Sequence, residues 1–139
     1  MKISKTLFLI TLFVSLASFT SGDKIKFKDG AVFINDSKCM TYKRLNAVTI
    51  KFITLDSSNS IILKNITYKS YGVEKRYSKI VFTNHDKSLT SMSYIFTKKL
   101  LIKNLLKSEV IKGCTFHENK IDEFIQTHHE SIEETIIRD

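Results

Sequence analysis

Short runs of alternating apolar and polar residues fill the chain from residue 24 to residue 96, and this pattern most constrains the fold. Alternation with a period of two places every second side chain on one face of a β-strand. The pattern therefore predicts an antiparallel meander of five to seven strands. The candidate runs are residues 24–28, 31–34, 38–44, 48–53, 61–68, 77–83 and 90–96.

The dipeptide Asp29-Gly30 makes the most specific local prediction in this region. A type I′ turn needs positive φ at both central residues, and Asp-Gly between two apolar runs favours that turn. A two-residue loop here pairs Phe27 with Val32, so that the apolar side chains of both strands share one face.

After Phe96 the apolar period becomes helical. Thr97 is a plausible N-cap, and an apolar stripe that continues to Val110 predicts a helix as far as Lys112. Gly113 would follow as the left-handed C-cap residue. The residues on this stripe are Leu101, Ile102, Leu105, Leu106 and Val110.

A second, acidic helix is predicted from about Phe116 to the mid-130s. Thr115 and Glu118 fit a capping box, and isoleucines recur along one face of the segment. The sequence therefore predicts an α+β protein, in which residues 23–139 form a single domain with an antiparallel sheet followed by two C-terminal helices.

Residues 1–22 have the order of a secretory signal peptide. Lys2 and Lys5 precede an apolar run from Leu7 to Leu16, and small residues follow. The run is about half of the roughly 20 apolar residues that span a bilayer. We therefore expect an exported protein, periplasmic or secreted, and not an integral membrane protein. Cleavage after Ala17 or after Gly22 fits the pattern equally well.

The two cysteines, Cys39 and Cys114, are expected to form one disulfide in an exported chain. Two buried free thiols are the alternative. Neither cysteine follows the apolar run closely enough to carry a lipoprotein anchor. The sequence predicts no metal site, since two cysteines without further ligand spacing cannot complete a structural zinc centre. It predicts no cofactor either.

Charge is unevenly distributed along the chain. Residues 23–114 contain eighteen Lys or Arg and seven Asp or Glu, whereas residues 115–139 contain two and seven. A basic body could attract an anionic polymer, a lipid surface or an acidic protein. Nucleic acid is an unlikely partner for an exported protein. The alternative is that the acidic tail packs on the body and neutralises part of its charge.

Two candidate binding surfaces follow from this charge. Lys99, Lys103 and Lys107 recur on one side of the first predicted helix, where they could meet anionic headgroups, an anionic polymer or an acidic partner helix. The acidic C-terminal helix of the same molecule is a second candidate partner, and a solvated face without a partner is the alternative. In the segment 68–77, aromatic and cationic residues are interleaved, as in surfaces that bind carbohydrate or nucleic acid through stacking and cation–π contacts. The residues singled out in that segment are Tyr68, Tyr71, Arg76 and Tyr77. A hairpin whose tyrosines cover the sheet is the alternative interpretation.

The sequence contains no motif that specifies a reaction. His85 and Asp86 lie between two predicted strands, and they are the best candidates for dispersed acid–base catalysis. His128 lies within an apolar stripe, which favours a structural histidine over a metal ligand. The leading hypothesis is an exported, non-enzymatic binding module with an anionic envelope partner. An enzyme with a site near His85 and a structural envelope protein are the alternatives.

Overall fold

The computed structural model describes residues 22–133 and residue 136. Residues 1–21, which make up all but the last residue of the predicted signal peptide, lie outside the described residues. The elements, in chain order, are β1 Ile25–Lys28, β2 Ala31–Ile34, β3 Ser37–Asn46, β4 Thr49–Thr54, β5 Ser60–Ser70, β6 Val73–Phe82, β7 Lys87–Ser91, α1 Lys98–Lys107, β8 Ile111–Lys112, β9 Thr115–Phe116, a 3₁₀ turn Glu118–Lys120 and α2 Ile121–His128.

The first seven strands form one antiparallel sheet in which spatial order follows chain order, as the alternation predicts. Phe27 pairs with Val32 across the first hairpin. Asp29 and Gly30 have φ of 52° and 72°, which confirms the predicted turn geometry. The α+β class and the two helices that follow the sheet are also confirmed.

One face of the sheet, called here the inner face, forms the core with the two helices. Phe52, Leu63 and Ile80 on the central strands are almost fully buried beneath α1 and α2. Helix α1 contributes Leu101 and Leu105, in agreement with the predicted apolar stripe. Thr97 caps this helix as predicted, because its hydroxyl accepts a hydrogen bond of 3.1 Å from the Leu100 amide. Within the described residues, neither helix is long and apolar enough to cross a membrane.

The predicted extension of the first helix to Lys112 is wrong. Helix α1 ends at Lys107, and Gly113 forms, with Cys114, the two-residue turn of the β8–β9 hairpin. Both turn residues have positive φ, 54° and 64°. Helix C-caps and tight hairpin turns both need a residue in the left-handed conformation. Gly113 therefore suits either position, and in the structure it lies in the hairpin turn.

Three other predicted boundaries are also wrong. The last strand ends at Ser91 and not at Phe96, because the Ser91 hydroxyl accepts a hydrogen bond from the Tyr94 amide and turns the chain into the core. Thr115 lies in β9, so it does not cap a helix, and α2 begins only at Ile121. This helix ends at His128, because the next residue has extended backbone angles.

The predicted disulfide is confirmed. Cys39 on β3 is joined to Cys114 in the β8–β9 turn, with a Cα–Cα distance of 4.9 Å. The bond spans 75 residues of sequence. It therefore holds the small C-terminal hairpin against the inner face near the start of β3.

Candidate functional site: a cationic cleft at the start of helix α1

The β5–β6 hairpin extends beyond its neighbours and forms one wall of a cleft. Strand β4 begins opposite Lys64, and β7 ends opposite Ser78, so the hairpin continues beyond that level as a two-stranded ribbon. We call this ribbon, residues 66–77, the arm. The inner surface of the arm faces the region where the chain enters α1.

The floor of the cleft is fixed by a buried polar network. The Ser78 hydroxyl donates to Asn65 Oδ1 at 2.6 Å and accepts from the Phe96 amide at 2.9 Å. Asn65 Nδ2 donates to the Phe96 carbonyl oxygen at 3.4 Å. These bonds place Thr97, and hence the N-terminus of α1, beside the base of the arm. A helix N-terminus carries partial positive charge, which favours an anion there.

Three cations line this cleft, which has a volume of about 480 Å³. Arg44 comes from β3, Arg76 from the arm and Lys98 from the first turn of α1. Among the described residues, the cleft lining contains no Asp or Glu. We call this site the arginine cleft.

Two of these cations are positioned by local contacts. Arg44 Nη1 donates to the Ala47 carbonyl oxygen at 3.0 Å, which holds the guanidinium over the β3–β4 turn. Lys98 Nζ lies 4.9 Å from the ring centroids of both Phe27 and Tyr42. These cation–π contacts position the ammonium group without an ion pair to a described carboxylate, which leaves it available to an anionic ligand.

The strand register gives the separation of the two arginines. Arg44 and Arg76 are three strands apart and four residues apart along the strands. These offsets correspond to about 14 Å across the sheet and about 13 Å along it. These are separations between backbone positions, and two cationic side chains that start so far apart suit a partner that carries more than one anionic group.

Exposed apolar side chains surround the same end of the sheet. Tyr71 at the tip of the arm is 92 % exposed. The others flank the β3–β4 turn, the arm tip and the loop that enters α1. They are Leu45, Val48, Val73, Tyr94 and Ile95. Apolar and cationic groups therefore occur together at this end, a combination that also suits an anionic lipid surface.

The structure separates the residues that the sequence singled out in the segment 68–77. Arg76 lies in the arginine cleft, whereas Tyr68 and Tyr77 lie on the opposite face with ring centroids 5.7 Å apart. Tyr77 is buried, and its hydroxyl donates to Glu133 Oε1 at 3.4 Å. Burial, and then the Glu133 carboxylate, raises the pKa of Tyr77. The segment forms a hairpin, and the four residues lie on both of its faces and at its tip. A shared binding role for them remains a prediction.

The lysines of α1 lie elsewhere. Lys99, Lys103 and Lys107 are exposed and line a shallow cleft of about 680 Å³ beside Lys24. None of the three forms an ion pair within the described part of the chain. Three carboxylates of the tail pair instead with other lysines: Asp122 with Lys87, Glu123 with Lys120 and Glu133 with Lys79. A binding role for this stripe remains a prediction.

The candidate catalytic histidine has structural partners. His85 Nε2 lies 2.9 Å from Asn59 Oδ1, and Nδ1 lies 3.6 Å from a Glu118 carboxylate oxygen. Its ring stacks on Phe116, with centroids 5.9 Å apart. These contacts join the β6–β7 turn to the β8–β9 hairpin, so a structural role accounts for this histidine.

His128 also has a structural environment. It is buried, its Nδ1 lies 2.9 Å from the Phe124 carbonyl oxygen, and its ring packs against that of Phe124. Within residues 22–133 and 136, no group of three or more His, Cys, Asp or Glu side chains is arranged to hold a metal ion.

Sequence reasoning identified Arg76 but missed Arg44 and Lys98. Arg44 was detectable, because it continues the inward alternation of Met40 and Tyr42 along β3. Lys98 gave no comparable signal, since its role depends on where α1 begins relative to the sheet.

Comparison of the chain with protein-family models, with curated proteins and with solved structures finds no match.

Proposed function

We propose that this protein is an exported, non-enzymatic module that binds an anionic partner of the cell envelope through the arginine cleft. The observation that carries the proposal is the placement of Arg44, Arg76 and Lys98 around one cleft at the N-terminus of α1. Three strands of separation between the arginines favour a partner with repeated phosphate or carboxylate groups.

Export is supported by two observations of different kinds. The first 22 residues have the pattern of a signal peptide, and the chain forms a disulfide that an oxidising compartment would preserve. An envelope partner is the class that an exported basic module would meet. The exposed apolar side chains near the cleft favour a lipid surface as one source of the anionic groups, and an envelope polysaccharide is the other source.

The double variant Arg44→Gln/Arg76→Gln tests the proposal. Because each arginine can supply charge-assisted hydrogen bonds, we expect its affinity for an immobilised anionic polysaccharide or for phosphatidylglycerol vesicles to fall by at least about tenfold. Binding of the unaltered protein should weaken as salt is added. Retention on the polysaccharide alone, or on the vesicles alone, identifies the source of the anionic groups.

The matched control is Lys38→Gln/Lys112→Gln. It removes the same charge from two exposed lysines outside the cleft. We expect it to lower affinity by about twofold or less, through the overall charge alone. Equal losses in the two double variants would contradict a site at the arginine cleft.

A further inference from the structure

A row of lysines crosses the face of the sheet opposite the core, called here the outer face. Lys43 on β3 lies directly opposite Lys51 on β4, and Lys64 on β5 lies directly opposite Lys79 on β6. Lys51 and Lys64 are diagonal neighbours, because Lys64 pairs with Thr49, two residues before Lys51. We call these four residues the lysine row. It spans four adjacent strands, or about 14 Å.

This arrangement does not favour the folded state. Like charges directly opposite each other on antiparallel strands repel, and the row contains two such pairs. Lys43, Lys51 and Lys64 form no ion pair with any described residue. The hydroxyl of Thr49, on the same face opposite Lys64, is buried without a hydrogen-bond partner among the described residues. Neither the opposed lysine pairs nor the unpartnered Thr49 hydroxyl stabilises the fold.

The protein itself places a carboxylate at one end of the row. Glu133, in the segment that follows α2, contacts Lys79 Nζ through both carboxylate oxygens, at 3.0 and 3.3 Å. The Tyr77 hydroxyl also donates to this carboxylate. The C-terminal segment reaches this position along β7, where the Glu130 amide donates to the Thr90 carbonyl oxygen at 2.8 Å.

We propose that the lysine row is a second binding surface, which takes a linear polymer with repeated anionic groups, and that Glu133 competes with the polymer for Lys79. The lysines follow one another at steps of about 5 to 8 Å, which matches a chain of charges better than a single anion. The row lies on the face opposite the arginine cleft. This inference is therefore independent of the proposed function.

Heparin fragments of defined length serve as the polymer probe. All measurements use a protein that also carries Arg44→Gln/Arg76→Gln, so that the arginine cleft does not contribute to heparin binding. The row variant is Lys43→Gln/Lys51→Gln/Lys64→Gln. The matched control is Lys38→Gln/Lys69→Gln/Lys112→Gln, which removes the same charge from three exposed lysines outside the row and outside α1. We expect the row variant to bind at least about tenfold more weakly, and its slope of log affinity against log salt to fall by about two. Its thermal midpoint should stay the same or rise, since two repulsive pairs are relieved.

The variant Glu133→Gln tests the competition. We expect it to bind heparin about threefold more tightly than the same chain with Glu133, because a partly exposed ion pair no longer occupies Lys79. Equal losses in the row variant and the matched control would overturn the binding surface. Unchanged or weaker binding by Glu133→Gln would overturn the competition. Binding to phosphatidylglycerol vesicles without affinity for heparin would show that the row binds a membrane surface, and would overturn the proposal that it binds a polymer.

Discussion

Glu130 attaches the C-terminal segment to the end of the sheet. Its carboxylate accepts hydrogen bonds of 3.0 Å from the Ser91 hydroxyl and from the Ser93 amide. Its carbonyl oxygen accepts from the Thr90 hydroxyl at 2.6 Å. The hydrogen bond from the Ser93 backbone is the main cause that lowers the pKa of Glu130, and partial burial opposes it.

This lowered pKa predicts a pH dependence of stability. A carboxyl group whose pKa is lower in the folded state adds stability above its unfolded pKa, and that stability is lost as the pH falls through the folded pKa. Glu130→Gln should therefore lower the free energy of unfolding at pH 7 by about 1 kcal/mol. It should also flatten the fall in stability below the unfolded pKa, near 4.5.

Urea denaturation at several pH values measures both effects. Glu74→Gln provides the charge-matched control, because Glu74 is an exposed residue of the arm. If Glu130→Gln kept the acid slope of the unaltered protein, the carboxylate would not contribute through these hydrogen bonds.

At the scale of elements, the β8–β9 hairpin depends on its disulfide more than on its own pairing. Only two residue pairs join β8 to β9, and an isolated ribbon of that length is not stable in water. Cys114 in its turn is tied to Cys39, a buried residue of β3. The disulfide therefore positions one wall of a separate cleft of about 420 Å³, whose lining includes Asn35, Leu106 and Ile111.

Removing this disulfide should destabilise the whole protein. The chain-entropy model for a loop of this length gives a loss of about 4 kcal/mol for Cys39→Ala/Cys114→Ala. Equilibrium denaturation of the variant, alongside the reduced form of the unaltered protein, measures the loss. A loss below about 1 kcal/mol in both would show that the hairpin docks without the bond.

The errors in predicting elements share one physical cause. Local pattern predicted the strands, the first turn and the N-cap at Thr97, because each depends on residues close in sequence. It placed Gly113 and Thr115 in helix caps, because the same residues suit a hairpin. Alternation also continues past Ser91 through Tyr94 to Phe96, although the chain turns there to bury Phe96. Only tertiary contacts distinguish these cases.

At the scale of the whole molecule, the arm is the part of the sheet with least lateral support. Around Leu63 the ribbon has β4 on one side and β7 on the other, whereas the arm has neither. The arginine cleft depends on this difference in strand length, which brings Arg76 opposite the start of α1. Sequence alternation places each arginine on a face, but it does not give the relative lengths of the strands that bring them to one cleft.

Hydrogen exchange should report this difference directly. We expect backbone amides near Phe52, Leu63 and Ile80 to exchange slowest, because their residues are almost fully buried in the centre of the sheet. Amides of the arm should exchange at least about tenfold faster, since a two-stranded ribbon opens locally. Mass spectrometry of peptides from the exchanged protein measures both regions, and equal protection would contradict the description of the arm.

The agreement between the spatial order and the chain order of β1 to β7 bears on the order in which the contacts of the fold form. Each strand of this sheet pairs with its neighbours in sequence, so the contacts within the sheet are local. Two further contacts close much longer loops, of 75 and 40 residues. Cys114 must return to Cys39, and Glu130 must reach Thr90. Because closing a longer loop costs more entropy, we expect these two contacts to form after the sheet.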